Sequence, residues 1–271
     1  MRLGYTARAS RSMLLHPVQG VERVRGRIDR RHDRRELAAL GVPVGDLYGA
    51  TSRAVAGLHA ALQLPWPCQE AAAFGPVWAD VTADLRRAGL RVGLASYGGW
   101  NDSDRTFAAA IWCAVAHLRP EHVVETGVAH GLTSRCILER LERNGTGRLW
   151  SIDLPAVDPA LHGQIGLAVP DSLRGRWTYL AGTSRELLPA LLASLGEITF
   201  FVHDSLHTGR NTSFELQAAW AALQPGGAVV VDDVDHSLAF RKFVRQARPK
   251  AWLAGQHVTG AGLWGAAVKA A

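Results

Sequence analysis

Long apolar runs, cysteine and lysine are all scarce in this chain, and the shortages exclude several classes. No apolar run among the 271 residues approaches the roughly 20 needed to span a bilayer. The N-terminal MRLGYTARASRSMLLHPVQG is basic, but its apolar stretch, Met13-Leu14-Leu15, is too short for a signal-peptide core. A soluble cytoplasmic protein without a membrane partner is the expectation. The three cysteines, Cys68, Cys113 and Cys136, are an odd number without CxxC spacing, so neither a disulfide framework nor a zinc site is expected. Cys113 and Cys136 lie in apolar helical surroundings and read as small buried hydrophobes. Lysine numbers 3 against 27 arginines, a bias that coding composition explains as readily as function.

What is present is a chain that is 48% hydrophobic, enough for one substantial core with a smaller appendage. The net charge of +6 is local: residues 1–40 hold ten arginines against four acids, while the other 231 residues carry twenty charges of each sign. The run VERVRGRIDRRHDRREL interleaves its arginines with Glu22, Asp29, Asp33 and Glu36 and has no aromatic residue. It therefore reads as a solvated helix whose charges pair among themselves rather than as a nucleic-acid surface.

Helical patterns follow in TSRAVAGLHAALQL and AFGPVWADVTADLRRAGL, separated by Pro65 and Pro67. The turn-rich YGGWNDSDRTF comes next, with Tyr97 and Trp100 as candidate lid residues. Asp102 or Ser103 is expected to cap the helix DRTFAAAIWCAVAHL. From about residue 121 short apolar runs alternate with helices. Strands are expected at 122–126, 148–153, 177–180, 198–203, 228–233, 251–256 and 262–269. That alternation describes an α/β fold, a doubly wound, mostly parallel seven-stranded sheet covered on both faces. The last two strands have no room for a crossover helix and should form a hairpin. Residues 1–95 then form a mainly helical N-terminal extension, serving as lid, acceptor pocket or oligomer contact, and residues 96–271 form the α/β domain.

The first functional motif is HVVETGVAHGLTSR, residues 122–135. A strand ends in Glu125, Gly127 and Gly131 follow, and a helix begins. Ser134, Ile137, Leu138 and Leu141 fall on one face of that helix, and Glu139 and Arg143 form an i,i+4 pair on another. The glycines permit close backbone approach at the helix head, in the crevice where open α/β sheets bind ligands. A dinucleotide fingerprint needs G-x-G-x-x-G, but position 129 is Ala and the acid at 125 repels a pyrophosphate. The same acid suits a cationic, amine-bearing ligand such as S-adenosylmethionine. Asp153, at the end of the next strand, suits a ribose diol. His130 lies within the glycine loop.

These residues resemble the class I S-adenosylmethionine-dependent methyltransferases over roughly residues 95–271. Glu125, Gly127 and Gly131 match that family's glycine-rich motif, and Asp153 matches its ribose acid. The resemblance implies a Rossmann-like sheet with an antiparallel final strand. It also implies cofactor contacts by Ser134 and, in AGTSRELLPALL, by Gly182, Thr183 and Ser184, with Thr183 standing where the family usually has an acid.

The second constellation lies in ITFFVHDSLHTGRNTSFELQAAWAALQPGGAVVVDDVDH. Asp204 and His207 follow one strand, and Asp232 and Asp233 end the next. The intervening helix carries Leu216, Ala219, Trp220 and Leu223 in phase and should stop at Pro225-Gly226-Gly227. A right-handed crossover would bring the three carboxylates and the imidazole to one rim. Crowded carboxylates call for a hard cation such as Mg²⁺. His207 is then a candidate base. His203 is expected to point into the core, and His236 is a further candidate. Asp-x-x-His followed by paired acids resembles the metal-dependent sugar O-methyltransferases of macrolide pathways and the cephalosporin-hydroxylase-like proteins. There the first Asp and the acid pair bind Mg²⁺, and the His is the base. This chain has Asp232-Asp233 where those proteins often have Glu-Asp. The expected function is Mg²⁺-assisted O-methylation of a small-molecule hydroxyl. A metal-independent methyltransferase, a non-catalytic cofactor-binding protein and an RNA modifier are the alternatives. The N-terminal helices are a candidate homo-oligomer contact.

Overall fold

The computed structural model describes residues 17–258 and 262–271; the Met13-Leu14-Leu15 stretch lies outside them. Seven strands form one sheet: β1 (His122–Thr126), β2 (Arg148–Asp153), β3 (Trp177–Ala181), β4 (Ile198–His203), β5 (Leu223–Val231), β6 (Ala251–Gln256) and β7 (Leu263–Val268). Their order is β3-β2-β1-β4-β5-β7-β6. The first five run parallel, and β7 is antiparallel to both β5 and β6. The expected hairpin of the last two strands is present. β5 begins at Leu223 rather than 228, and its pairing with β4 is irregular between Ile198 and Phe200, where Pro225-Gly226-Gly227 passes. Asp232 and Asp233 lie just beyond its end.

The helices are α1 (Pro17–Ala38), α2 (Val44–Tyr48), α3 (Ala54–Ala61), α4 (Gln69–Arg87), α5 (Arg105–Leu118), α6 (Leu132–Asn144), α7 (Asp171–Arg174), α8 (Ser184–Leu195), α9 (Gly209–Ala222) and α10 (Ala239–Ala247). Among the described residues, none is long and apolar enough to cross a membrane. Strand alternation sorts the core into two layers. Phe200, Val202 and Val230 pack with Phe107, Ile111, Ile137 and Leu141 of α5 and α6. Phe201, Val229 and Val231 pack with Leu188, Leu216 and Phe240 of α8, α9 and α10. α4 adds a third cluster, setting Phe74, Val77, Val81 and Leu85 against Trp112, Cys113 and Cys136. Each such side chain contributes about 1.5–3 kcal/mol through burial. The helices of residues 54–87 thus share their apolar faces with the α/β domain.

Several local expectations are corrected. Asp104, not Asp102 or Ser103, caps α5, accepting from the Thr106 amide at 2.7 Å. Glu139 pairs with Arg135 at 2.7 Å instead of with Arg143, whose guanidinium lies over the Trp112 ring. The acids of α1 do not neutralise its own arginines. Arg210 binds Glu22 and Asp29, Lys242 binds Glu36, and the Gly209 amide donates to Asp33. The acidic face of α1 is therefore docked on the first turn of α9 and on α10, while Arg25, Arg27, Arg31, Arg34 and Arg35 face solvent. Gly26 allows this close approach, since a Cβ there would lie 2.9 Å from Leu206 Cδ2.

The turn after β1 depends on Gly127. Its φ is +88°, and a Cβ would fall 1.8 Å from the carbonyl oxygen of Asp204. Gly127→Ala combines left-handed strain of about 1–3 kcal/mol with overpacking of about 1–3 kcal/mol. We expect a loss of about 2–6 kcal/mol in urea-unfolding stability.

Candidate active site

The chain runs outward from β1 to β2 and β3, then returns to place β4 on the other side of β1. The carboxyl ends of β1 and β4 therefore open a crevice at the point where strand order reverses. Thr126 lies opposite His203 across that junction. Everything singled out in the two sequence motifs collects along this rim.

Glu125 is fully buried. Its Oε2 accepts hydrogen bonds from Ser134 Oγ at 2.6 Å and Ser151 Oγ at 2.7 Å. Its Oε1 is buried without a partner. Asp153 Oδ2 accepts from the amides of Val128 and Ala129, both at 3.1 Å, and so braces the glycine loop from below. Gly131 is the left-handed N-cap of α6, backed against Gly166. The hydroxyls of Tyr97 and Tyr179 are also buried and unpartnered, and both feel the charge of Asp153. Burial followed by that charge pushes Tyr97 up to about 12 and raises Tyr179 as well. A buried polar atom without a partner costs about 1–3 kcal/mol. The unpartnered oxygens of Glu125, Tyr97 and Tyr179 all lie near Asp153 and are open to a polar partner. His130 does not line this crevice as a free base; Asp102 Oδ1 at 3.0 Å and Gln164 Oε1 at 3.3 Å occupy its two nitrogens. Thr183 caps α8 and donates to Glu186 Oε2 at 2.7 Å. Gly182 precedes it against Leu187, and Ser184 turns toward Asn211, 3.4 Å away.

The second group sits directly beside the first, because the backbone of Asp204 is what packs on Gly127. Donor atoms of Asp204, His207 and Asp232 lie within 4.8 Å of one another, as do those of Asp232, Asp233 and His257. His207 Nδ1 lies 2.9 Å from Asp233 Oδ2. His207 Nε2 is 3.6 Å from Asp204 Oδ1, too far to bond, and has no partner. His257 Nε2 bonds Asp232 Oδ1 at 2.8 Å. Asp233 holds a left-handed conformation, φ +48°. His236, about half exposed, lies 3.4 Å from the same Asp233 oxygen.

Comparison with known proteins fits this picture. Residues 124–234 match a family model described as a methyltransferase domain. No curated protein matches the chain. Among solved structures, an O-methyltransferase from Bacillus cereus in complex with SAH is similar, with a TM-score of 0.53 and 16% identity, over 79% of this chain and 97% of that one. TomG from Streptomyces achromogenes, an O-methyltransferase of tomaymycin synthesis in complex with SAM, is similar at a TM-score of 0.52 and 14% identity, over 72% and 90%. Residues 124–234 are thus similar to methyltransferase domains, and the fold of the chain is that of these O-methyltransferase structures.

The electrostatics of the two groups differ. Burial pushes Glu125 up to about 8, the serine hydroxyls opposing and the charges of Asp204 and Asp153 adding. Burial also raises Asp153, against its amide hydrogen bonds. In the acid cluster, burial raises Asp204 and Asp232. Burial opposes protonation of His207, but its carboxylate neighbours outweigh it and hold the imidazole well above its ordinary value. Asp233 is correspondingly lowered by His207 despite burial. The donor sets that lie together mix carboxylate and imidazole, Asp204 and Asp232 with His207, and Asp232 and Asp233 with His257, and their carboxylate oxygens suit a hard divalent cation.

Two elements of this rim were not legible as motifs. Glu215 of α9 is fully buried and accepts from Thr126 Oγ1, Ser205 Oγ and Asn211 Nδ2, and it pairs with His203 Nδ1 at 2.6 Å. Burial opposes its ionisation, yet the His203 charge and these bonds lower it to about 2. It ties the ends of β1 and β4 together, and its one sequence trace is an acid in phase with the buried Asn211. His257 lies in the loop after β6, where nothing but its type marks it.

Glu125 generates a stability prediction. A buried acid raised from 4.5 to about 8 contributes its stability below pH 4.5, and that contribution falls away as pH rises toward 8. In ligand-free protein, Glu125→Gln should remove a decline on the order of a few kcal/mol between those limits. Urea unfolding across that range, compared with wild type, reads it.

Proposed function

We propose that this methyltransferase transfers the methyl group of S-adenosylmethionine to a hydroxyl of a small molecule, a sugar or other secondary metabolite. His207 is the base, and Mg²⁺ is held by Asp204, Asp232 and Asp233. The observation that carries this reading is the abutment of two unsatisfied groups on one rim. The Glu125 notch, with its unpartnered oxygen, shares a backbone contact with the Asp204 turn.

Glu125 Oε1 suits the cofactor's amino group, and Asp153 suits its ribose. The buried carboxylate also favours the positive charge of the donor over that of the neutral product. His207 is oriented for base work. Nδ1–H donates to Asp233, and Nε2 faces the Asp204 side of the crevice, where it takes the acceptor's proton once its own has been lost. The acceptor oxygen's lone pair forms the new C–O bond, and the C–S bond breaks with its electrons staying on sulfur. The hydroxyl proton passes to His207 Nε2. A bound divalent cation supplies neutralisation of the three carboxylates and polarisation of the acceptor hydroxyl. With those charges neutralised, His207 is no longer held protonated. α1, docked through Gly26 and through Arg30 over the Trp100 ring, covers the approach and gives the acceptor a wall. The small-molecule setting of TomG is in keeping with this substrate class.

Turnover on a panel of hydroxylated acceptors tests the reading. Wild type should lose activity on chelation and regain it with Mg²⁺. His207→Gln should lower kcat by about 10²–10⁴ and leave cofactor affinity by calorimetry nearly unchanged. Activity indifferent to chelation would favour the metal-independent alternative, and cofactor binding without turnover would favour a binding protein.

A further inference from the structure

The strongest group of side chains left unused by this chemistry lies on the far side of α5. The side chains of His59 on α3, Cys68 at the head of α4 and His117 on the last turn of α5 bring a ligand atom each within 4.8 Å of one another. They are 9 and 49 residues apart in sequence, so no local spacing announces them. From these donors we infer a Zn²⁺ site with His59, Cys68 and His117 as its protein ligands.

Each donor is prepared for that role. His59 is almost wholly buried, and its Nδ1 lies 2.8 Å from the carbonyl oxygen of Val55. A carbonyl only accepts, so Nδ1 carries the proton and Nε2 presents its lone pair. That is the outer hydrogen bond that orients metal-bound histidines. The Nε2 atom points at Cys68 Sγ, 3.0 Å away. Cys68 is the N-cap of the 19-residue α4, and its sulfur accepts the Ala71 amide at 3.3 Å. An amide bond and a helix N-terminus both complement a thiolate. His117 Nε2 is buried with no hydrogen-bond partner, and its ring lies 5.4 Å from that of His59.

Zinc bonds of about 2.0–2.3 Å place tetrahedral donors roughly 3.3–3.8 Å apart. The cluster therefore needs only slight opening between His59 and Cys68 to admit the ion. Mixed imidazole and thiolate donors select Zn²⁺ over the hard cations that suit the acid cluster. Binding would release the thiol proton to solvent. The ion would pin α3 and α4 to the end of α5, four residues ahead of β1, which carries Glu125.

The test is a Co²⁺ titration of the full chain, stripped of metal and kept reduced, with excess Mg²⁺ to occupy the acid cluster. The site predicts one equivalent bound, with tetrahedral d–d absorption and a thiolate-to-cobalt charge-transfer band that Zn²⁺ abolishes. Cys68→Ser should eliminate the charge-transfer band. His117→Gln, at a partly exposed position, should weaken Co²⁺ binding at least about tenfold. Asp204→Asn should leave the spectrum unchanged. A wild-type spectrum without thiolate charge transfer, a band that survives Cys68→Ser, or one that disappears in Asp204→Asn would each overturn the assignment.

Discussion

A carboxyl group buried without a counter-charge at the end of the central strand is the constraint on which the rest of this structure depends. Two serine hydroxyls satisfy one oxygen of Glu125, and the other is left bare. A buried oxygen left bare is costly, and the amino group of the proposed cofactor would offset that cost. The surrounding elements hold it in place. Asp153 fixes the glycine loop through two amides, and Gly127 lets that loop press on the Asp204 turn. Ser134 rides on the same helix face that Ile137, Leu138 and Leu141 anchor in the core.

The same economy joins the two halves of the site. The buried Glu215–His203 pair ties β4 to β1 through Thr126 and organises the loop that carries Asp204 and His207. Removing one member of such a pair strands the other, which typically costs about 3–5 kcal/mol. The acid cluster is thus set on a rigid base, and α1 is tied to α9 and α10 nearby through ion pairs to Arg210 and Lys242.

Much of this was legible from residue order. Apolar runs bounded by turns located all seven strands, because a sheet buried on both faces must be written in Val, Ile, Leu and Phe. The missing crossover between β6 and β7 foretold their hairpin. Glu125, Gly127 and Asp153 were visible because each ends or follows a strand, where topology alone decides location. What escaped was pairing between side chains. Asp102 and Asp104 are equivalent as caps on paper, yet Asp102 is drawn to His130 and Gly93. The acids of α1 were expected to find their own arginines, but Arg210 and Lys242 compete for them from other elements. Glu215, His257 and the His59–Cys68–His117 cluster depend on contacts across long separations that no local spacing records.

The most direct test of the central claim is a crystal structure of the protein with S-adenosylhomocysteine. The account predicts the ligand's amino nitrogen within about 3 Å of Glu125 Oε1, its ribose at Asp153 and its sulfur facing the Asp204–His207 side of the crevice. A ligand seated elsewhere, or one that leaves Glu125 Oε1 unpaired, would contradict it.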